Sequence, residues 1–152
     1  MPAMKILPPY IVESDAVSTA ASALSAQRIR MNMIANNLAN LQTTRNDKGE
    51  FAPYLRKHVL FQTEKVNPEM PDNQGVKVHE IVESKGKLRS IYDPNHPEAN
   101  KDGYRFEPNV KLPLEMINMI EASRAYDSNL RAMKIASSSK GKTVSILDRP
   151  LP

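Results

Sequence analysis

Mainly apolar and small residues recur at intervals of three and four along two stretches of the chain, one near each end. The first stretch contains Val17, Ala21, Leu24, Arg28, Met31, Ala35 and Leu38, and the second contains Met116, Met119, Ser123, Tyr126, Leu130, Met133 and Ser137. This spacing places each set on one stripe of an α-helix, as in helices that pack side by side. Helices of about 27 residues would each be about 40 Å long. Neither helix can bury its own stripe, so the pattern indicates a protein that associates.

The two stripes predict an α+β fold in which the long helices pair as an antiparallel coiled coil, with a small, loop-rich β region between them. Ser14 or Asp15 can cap the first helix, and Pro113 suits the first turn of the second. Residues 19–26 are rich in Ala and Ser, which would let another backbone approach closely. The predicted order is an extended arm at 1–13, the first helix at 14–41, the β-rich region at 42–112, the second helix at 113–147 and a tail at 148–152.

The middle of the chain has a different pattern, with short runs of β-prone residues at 54–61, 75–82 and 88–92. Proline-interrupted stretches at 67–73 and 93–97 separate these runs and suit neither a helix nor a central strand. We therefore expect three to five short strands joined by loops.

The composition favours a chain whose apolar surface is partly covered by partners. Of the 152 residues, 40% are hydrophobic and 5% aromatic, with no Trp, which is little for one compact core of that length. Because there is no Cys, disulfides, thiolate metal sites and cysteine nucleophiles are excluded.

The formal net charge of +4 is mild for a nucleic-acid-binding protein. Several cations lie in the last quarter of the chain, at Arg131, Lys134, Lys140, Lys142 and Arg149. Cations near the end of a helix are favoured by its dipole, and a patch for nucleic acid or anionic lipid is the open alternative. We expect neither a transmembrane helix nor a cleavable secretory signal, which points to the cytoplasm or to an export route without such a signal.

Residues that carry catalysis in other proteins are not arranged here in any pattern typical of an active site. His58, His79 and His96 share no ligand spacing, and there is no glycine-rich phosphate loop or nucleophile elbow. The sequence therefore predicts a protein that is not an enzyme and has no cofactor and no metal.

Asn36, Asn37 and Asn40 cluster near the end of the first helix. They are poor residues for a helix interior, so one interpretation is that they only fray its end. The other is that their amides lie in a helix–helix contact and fix its register. The residues alone leave both interpretations open.

Several segments resemble a known family. Ala35-Asn36-Asn37-Leu38-Ala39-Asn40, on a helix that also carries Ser22-Ala23-Leu24-Ser25-Ala26-Gln27, resembles the N-terminal signature of bacterial flagellar rod and hook proteins. Further segments are similar, in the same order, to the basal-body rod proteins of the FlgC type, the proximal-rod subunits. These segments are Thr43-Thr44-Arg45, Pro53-Tyr54, Val59-Leu60-Phe61, Gly75-Val76-Lys77-Val78, Ile81-Val82-Glu83, Tyr92-Asp93-Pro94, His96-Pro97, Gly103-Tyr104, Pro108-Asn109-Val110, Glu115-Met116 and Ser123-Arg124-Ala125-Tyr126.

The resemblance implies a structural axial subunit of the flagellar proximal rod. Such subunits leave the cytoplasm through the flagellar type III export apparatus without a cleaved signal peptide. They polymerise through their terminal helices, in the periplasm-spanning part of the basal body, into the drive shaft of the motor. The implied partners are copies of the chain, other rod proteins, and components of the basal-body rings and export gate, with neither nucleic acid nor a small-molecule substrate.

We expect the subunit interface to use the two helical stripes and the Asn cluster. The expected interface residues are Leu24, Met31, Asn36, Asn37, Leu38, Asn40, Met116, Met119, Tyr126, Leu130 and Met133. Two other functions stay open from the residues alone, a small basic nucleic-acid-binding protein and a cytoplasmic coiled-coil adaptor.

Overall fold

A computed structural model of the chain describes residues 9–66 and 74–147. Its elements, in order, are α1 (Pro9–Ala39), β1 (Lys57–Lys65), β2 (Gln74–Glu83), β3 (Arg89–Tyr92), β4 (Tyr104–Glu107) and α2 (Leu112–Leu147). The predicted α+β class, with long helices on either side of a small β region, is confirmed. No helix within the described ranges is long and apolar enough to span a membrane.

The first helix begins earlier than the sequence pattern predicts. α1 starts at Pro9, inside the stretch for which an extended arm was expected, while residues 1–8 lie outside the described residues. Proline is well tolerated at the first helical position, because its missing N–H would have no partner there. Ser14 and Asp15 consequently lie within the helix and do not cap it, contrary to expectation.

The other helix ends lie close to their expected positions. α1 ends at Ala39, where the sequence predicts 41, a difference within the usual spread of helix boundaries. α2 begins at Leu112, so Pro113 lies in its first turn, and it continues through Gly141 to Leu147. The predicted tail at 148–152 lies outside the described residues.

The strands form two separate two-stranded sheets, β1 with β2 and β3 with β4. The second sheet is antiparallel, and its register runs from Arg89 opposite Glu107 to Tyr92 opposite Tyr104. The three predicted β runs correspond to β1, β2 and β3. β4 was not predicted individually. The proline-rich stretch at 67–73 lies outside the described residues.

The chain divides into two compact units, and each unit combines segments that are distant in sequence. One unit consists of Met1–Arg28, Phe61–Val78 and Ser123–Pro152, and the other of Ile29–Leu60 and His79–Ala122. We call these the first and the second unit. Both helices and the strands β1 and β2 contribute residues to each unit.

Few apolar side chains are fully covered within the described residues. The buried ones are Ala26, Ile34, Pro108, Val110 and Ala122. Large apolar residues such as Ile117, Ile120 and Ile135 are more than half exposed. This distribution agrees with the expectation from composition that much of the apolar surface needs a partner.

In the first unit, the small residues of α1 allow a strand to approach, as the Ala- and Ser-rich stretch predicts. The backbone N–H of Val76 donates a hydrogen bond to Ser22 Oγ at 3.1 Å. A Cβ on the neighbouring Gly75 would lie 2.5 Å from Val66 Cγ2 and 2.7 Å from Ser22 Oγ. Only glycine therefore fits where β2 meets α1.

We expect Gly75→Ala to lower the free energy of unfolding by about 1–3 kcal/mol, because the added methyl group forces packed atoms apart. Thermal or urea unfolding of the full chain measures this change. Gly86→Ala is the matched control, since a Cβ there would meet only side-chain atoms of Asn109 and Ser84 at 3.3 Å. Equal losses for the two variants would contradict the close approach.

Candidate functional site

A buried polar network in the second unit joins α1, β1 and the start of α2. Its centre is Asn37, whose side chain is fully buried. The amide nitrogen of Asn37 donates to the carbonyl of Lys57 at 2.8 Å and to Glu115 Oε2 at 3.0 Å. Its Oδ1 accepts from the Lys57 N–H at 2.9 Å and from the Tyr54 hydroxyl at 3.0 Å. Both donors and both acceptor positions of the amide are thus used.

Glu115 is the second fully buried member of this network. Its Oε1 accepts a hydrogen bond from Arg56 Nε at 2.7 Å, forming an ion pair in which the Arg56 side chain is 25% exposed. Glu115 also lies in the first turn of α2, where a negative charge is favoured by the helix dipole. A buried carboxylate needs such partners, because its charge loses the solvation of water.

The loops around the network hold Arg56 and Tyr54 in place. The Arg56 N–H donates to Asn109 Oδ1 at 2.7 Å, and the Arg56 carbonyl accepts from the Ser84 N–H at 2.7 Å. Burial raises the pKa of Tyr54, and the nearby charges of Glu83 and Glu115 raise it further. The Tyr54 hydroxyl therefore stays protonated and donates to Asn37.

The structure separates the three asparagines that the sequence groups together. Asn37 is buried, Asn36 is exposed and Asn40 is half-buried. Asn40 Nδ2 donates to the Asn36 carbonyl at 2.9 Å, and Asn40 Oδ1 accepts from Thr43 Oγ1 at 3.1 Å, so Asn40 stabilises the end of α1. Asn37 thus joins elements of one chain, and Asn40 holds the end of α1 through hydrogen bonds where fraying was one of the two interpretations.

Sequence reasoning missed Tyr54, Arg56 and Glu115 as members of the network. A signal for Glu115 was present, because this carboxylate stands among apolar residues at 112–120 of α2. The partners of Glu115 lie in a loop and at the far end of α1, and no local pattern indicates that they meet it.

In the first unit, three of the expected interface residues meet around one cavity. Leu24 of α1 and Tyr126 and Met133 of α2 line a space of about 230 Å³ between the helices. Leu130, on the same stripe, is half-buried. In the second unit, Met31, Leu38 and Met119 are also half-buried.

Met116 lies instead on an exposed apolar surface at the start of α2. We call this surface the α2 apolar patch; its members are between 46% and 54% exposed and are Leu112, Leu114, Met116, Ile117 and Ile120. Exposed apolar side chains concentrated within residues 112–120 are typical of a site of protein association.

A second polar cluster in the second unit holds the loop that follows α1. Glu98 accepts from Arg45 Nε at 2.7 Å and from Thr44 Oγ1 at 2.9 Å. The hydrogen bond from Arg45, followed by that from Thr44, keeps the pKa of Glu98 below its ordinary value of 4.5. Among the described residues, no group of three or more His, Asp or Glu side chains is placed to hold a metal ion.

Comparisons with known proteins give a consistent result. A family model described as flagella basal body rod protein matches residues 18–45, and one described as flagellar basal body rod FlgEFG protein C-terminal matches residues 103–146. The flagellar basal-body rod protein FlgC of Buchnera aphidicola (subspecies Schizaphis graminum) is 40% identical over 130 residues, covering 86% of this chain and 94% of that protein. The FlgC proteins of Bacillus subtilis and Salmonella typhimurium are 39% and 36% identical, covering 77% and 84% of this chain and 86% and 92% of their own lengths.

We expect Asn37→Asp to destabilise the chain by about 2–5 kcal/mol, although the side chain keeps its size. The substitution removes both donors and places a second carboxylate against Glu115. Chemical unfolding measures the loss. The control is Asn36→Asp, which makes the same change on an exposed neighbour and should cost less than about 1 kcal/mol. Similar losses for both variants would show that the network contributes little.

We expect the contribution of Glu98 to stability to be present above pH 4.5 and to decline as the pH falls below it. The pKa of Glu98 is lower in the folded chain, so the folded state favours the ionised carboxylate, and protonation removes that advantage. The measurement is the difference in Tm between the parent chain and Glu98→Gln as a function of pH. A difference that stays constant down to about pH 3 would contradict this linkage. Glu80→Gln, at an exposed strand position, is the control.

Proposed function

Since the chain belongs to the FlgC family of flagellar basal-body rod proteins, we propose that it is a proximal-rod subunit that polymerises through its terminal helices. At the level of the family, it is a structural subunit of the rod in the flagellar basal body. The observation that carries the finer proposal is the α2 apolar patch, which one copy of the chain leaves uncovered.

The proposed interface consists of the stripe residues expected from the sequence with Asn36 and Asn40, extended by the α2 apolar patch, while Asn37 is buried within one copy. Burial of the patch supplies free energy of association, at roughly 25 cal/mol for each Å² removed from water. Asn37 acts within the subunit in this proposal, by fixing how α1 and α2 meet before a neighbour is engaged.

The two helices are proposed to pair as an antiparallel coiled coil. Support comes from the order of their contacts in the second unit. Arg30 of α1 lies 3.8 Å from Glu121 of α2, and Asn37, later in α1, bonds to Glu115, earlier in α2. The contacts thus run in opposite directions along the two helices.

The remaining features of the proposal follow the family. We propose export by the flagellar type III apparatus without a cleaved signal peptide, and assembly with copies of the chain, other rod proteins, and ring and export-gate components. No enzymatic activity, cofactor, nucleic acid or small-molecule substrate is part of this function. Family membership favours the rod subunit over the nucleic-acid-binding protein and the cytoplasmic adaptor that the residues alone leave open.

We expect Leu130→Asp and Met116→Asp each to abolish swimming and rod assembly while export continues. Each places a charge on an apolar association surface, and Met116 is 53% exposed, so its substitution leaves the fold of the subunit intact. Soft-agar motility, electron microscopy of isolated basal bodies and immunoblots of the exported protein give the three readouts. Ser128→Asp is the matched control on the exposed surface of α2. Normal motility with both variants would refute assembly through these surfaces.

A further inference from the structure

The loop that follows α1 is held rigid by its own hydrogen bonds. We call residues 44–52 the knob loop. Asn46 Oδ1 accepts from the N–H groups of Lys48 and Glu50 at 3.0 and 2.9 Å, and the Asn46 N–H donates to the Glu50 carbonyl at 3.0 Å. The turn closes at Gly49, whose φ of 78° is one that residues with side chains rarely adopt. Arg45 Nη1 adds a bond to the Gly49 carbonyl at 2.8 Å.

The base of the knob loop is fixed as firmly as its tip. The Ala52 N–H donates to the Thr44 carbonyl at 3.0 Å, and Arg45 forms an isolated β-bridge with Phe51. Glu98 holds Thr44 and Arg45 from outside the loop. Little conformational entropy is therefore left for the loop to lose on binding.

This rigid loop presents an aromatic side chain to solvent. Phe51 is 50% exposed, although a ring of that size is usually covered. Two anions, Asp47 and Glu50, are exposed in the same loop. Of its two cations, Lys48 is exposed and Arg45 is paired with Glu98. The knob loop thus combines an apolar anchor with charges that, counted together with Glu98, sum to −1.

The second unit also contains an open cavity, with a volume of about 630 Å³, whose lining carries more positive than negative charge. Leu41, Ile91 and Val110 are among its apolar lining residues, and Leu112 lies at the start of α2. Its charged residues are Arg89, Arg105 and Lys111 against a single carboxylate, Glu107. We call this space the basic cavity.

The cations of the basic cavity differ in how far carboxylates compensate their charge, and Arg89 is compensated less than Arg105. Arg105 is paired with two carboxylates, through Nη2 at 2.8 Å from Glu107 Oε1 and through Nε at 3.9 Å from Asp93 Oδ2. Arg89 lies 3.8 Å from Glu107 Oε2 and is 69% exposed. Buried Arg105 Nε has no hydrogen-bond partner among the described residues. The N-terminal end of α2 adds a positive dipole at the same place. The cavity therefore favours an apolar group accompanied by negative charge.

We propose that the knob loop of one copy of the chain seats in the basic cavity of a second copy, with Phe51 on the apolar lining and Glu50 near Arg89. The two surfaces differ, so the contact is head-to-tail and repeats from copy to copy, which is the kind of interface that builds an open helical assembly. Charge complementarity between Glu50 and Arg89 favours the knob loop as the group that fills the basic cavity and fixes the orientation of the loop there. The inference rests on the proposed self-assembly and adds a contact outside the terminal helices.

Disulfide cross-linking tests this contact directly, because the chain has no cysteine of its own. Full-length Phe51→Cys and Leu112→Cys are purified separately, mixed and oxidised. We expect the mixture to form a disulfide-linked dimer, whereas each variant alone does not. A chain carrying both substitutions should form a ladder of dimers, trimers and longer products. The same double variant, oxidised in isolated basal bodies, should give the same ladder.

Ser90→Cys supplies the matched control. Ser90 is exposed and adjoins the lining residue Ile91, but successive side chains of a strand point to opposite faces. Its mixture with Phe51→Cys should therefore give no dimer. An equal yield with Ser90→Cys, a strong dimer of either single variant, or no dimer with Leu112→Cys would overturn the proposal.

A charge exchange adds a second, independent readout. Glu50→Arg on the Phe51→Cys partner should lower the cross-linking yield about two- to fivefold, and Arg89→Glu on the Leu112→Cys partner should do the same. Combining the two should restore the yield, and failure to restore it argues against the Glu50–Arg89 pairing. If cross-links are absent while rod assembly still depends on Leu130, this inference fails and the proposed function stands. If Leu130→Asp and Met116→Asp assemble normally, the proposed function fails.

Discussion

The buried carboxylate of Glu115 sets the condition that the second unit must meet. A charge without solvent is strongly unfavourable unless charged and polar partners surround it. Arg56 and Asn37 supply these partners, and they come from the loop before β1 and from α1. Asn37 also bonds the N–H and the carbonyl of Lys57 in β1. The hydrogen bonds that surround the Glu115 carboxylate therefore fix where α1, β1 and α2 meet.

Polar contacts have this importance because apolar burial is sparse. Ile34, Pro108, Val110 and Ala122 are the buried residues with apolar side chains in the second unit among those the structure describes. Side chains of Asn46, Asn100 and Asn109 bind backbone groups and hold loops that no broad sheet supports. The result is a subunit with ordered loops and a large uncovered apolar surface, which suits a structural protein completed by its neighbours.

The sequence was informative wherever structure depends on local pattern. Stripes of apolar residues predicted both helices, and β-prone runs predicted three of the strands. Local rules failed at Pro9, where the same residue is compatible with an extended arm and with the first turn of a helix. They also failed for Glu115, whose partners depend on tertiary folding, and for β4, whose four residues form a strand only because β3 lies beside them.

The joint around Asn37 also has a mechanical consequence. Apolar side chains can slide past one another with little loss of contact, whereas hydrogen bonds depend on distance and angle. A load along α1 would have to break the bonds to Lys57, Tyr54 and Glu115 together before the helix could slip. For a structural subunit of a rod, this joint provides stiffness against shear at the point where its longest elements meet.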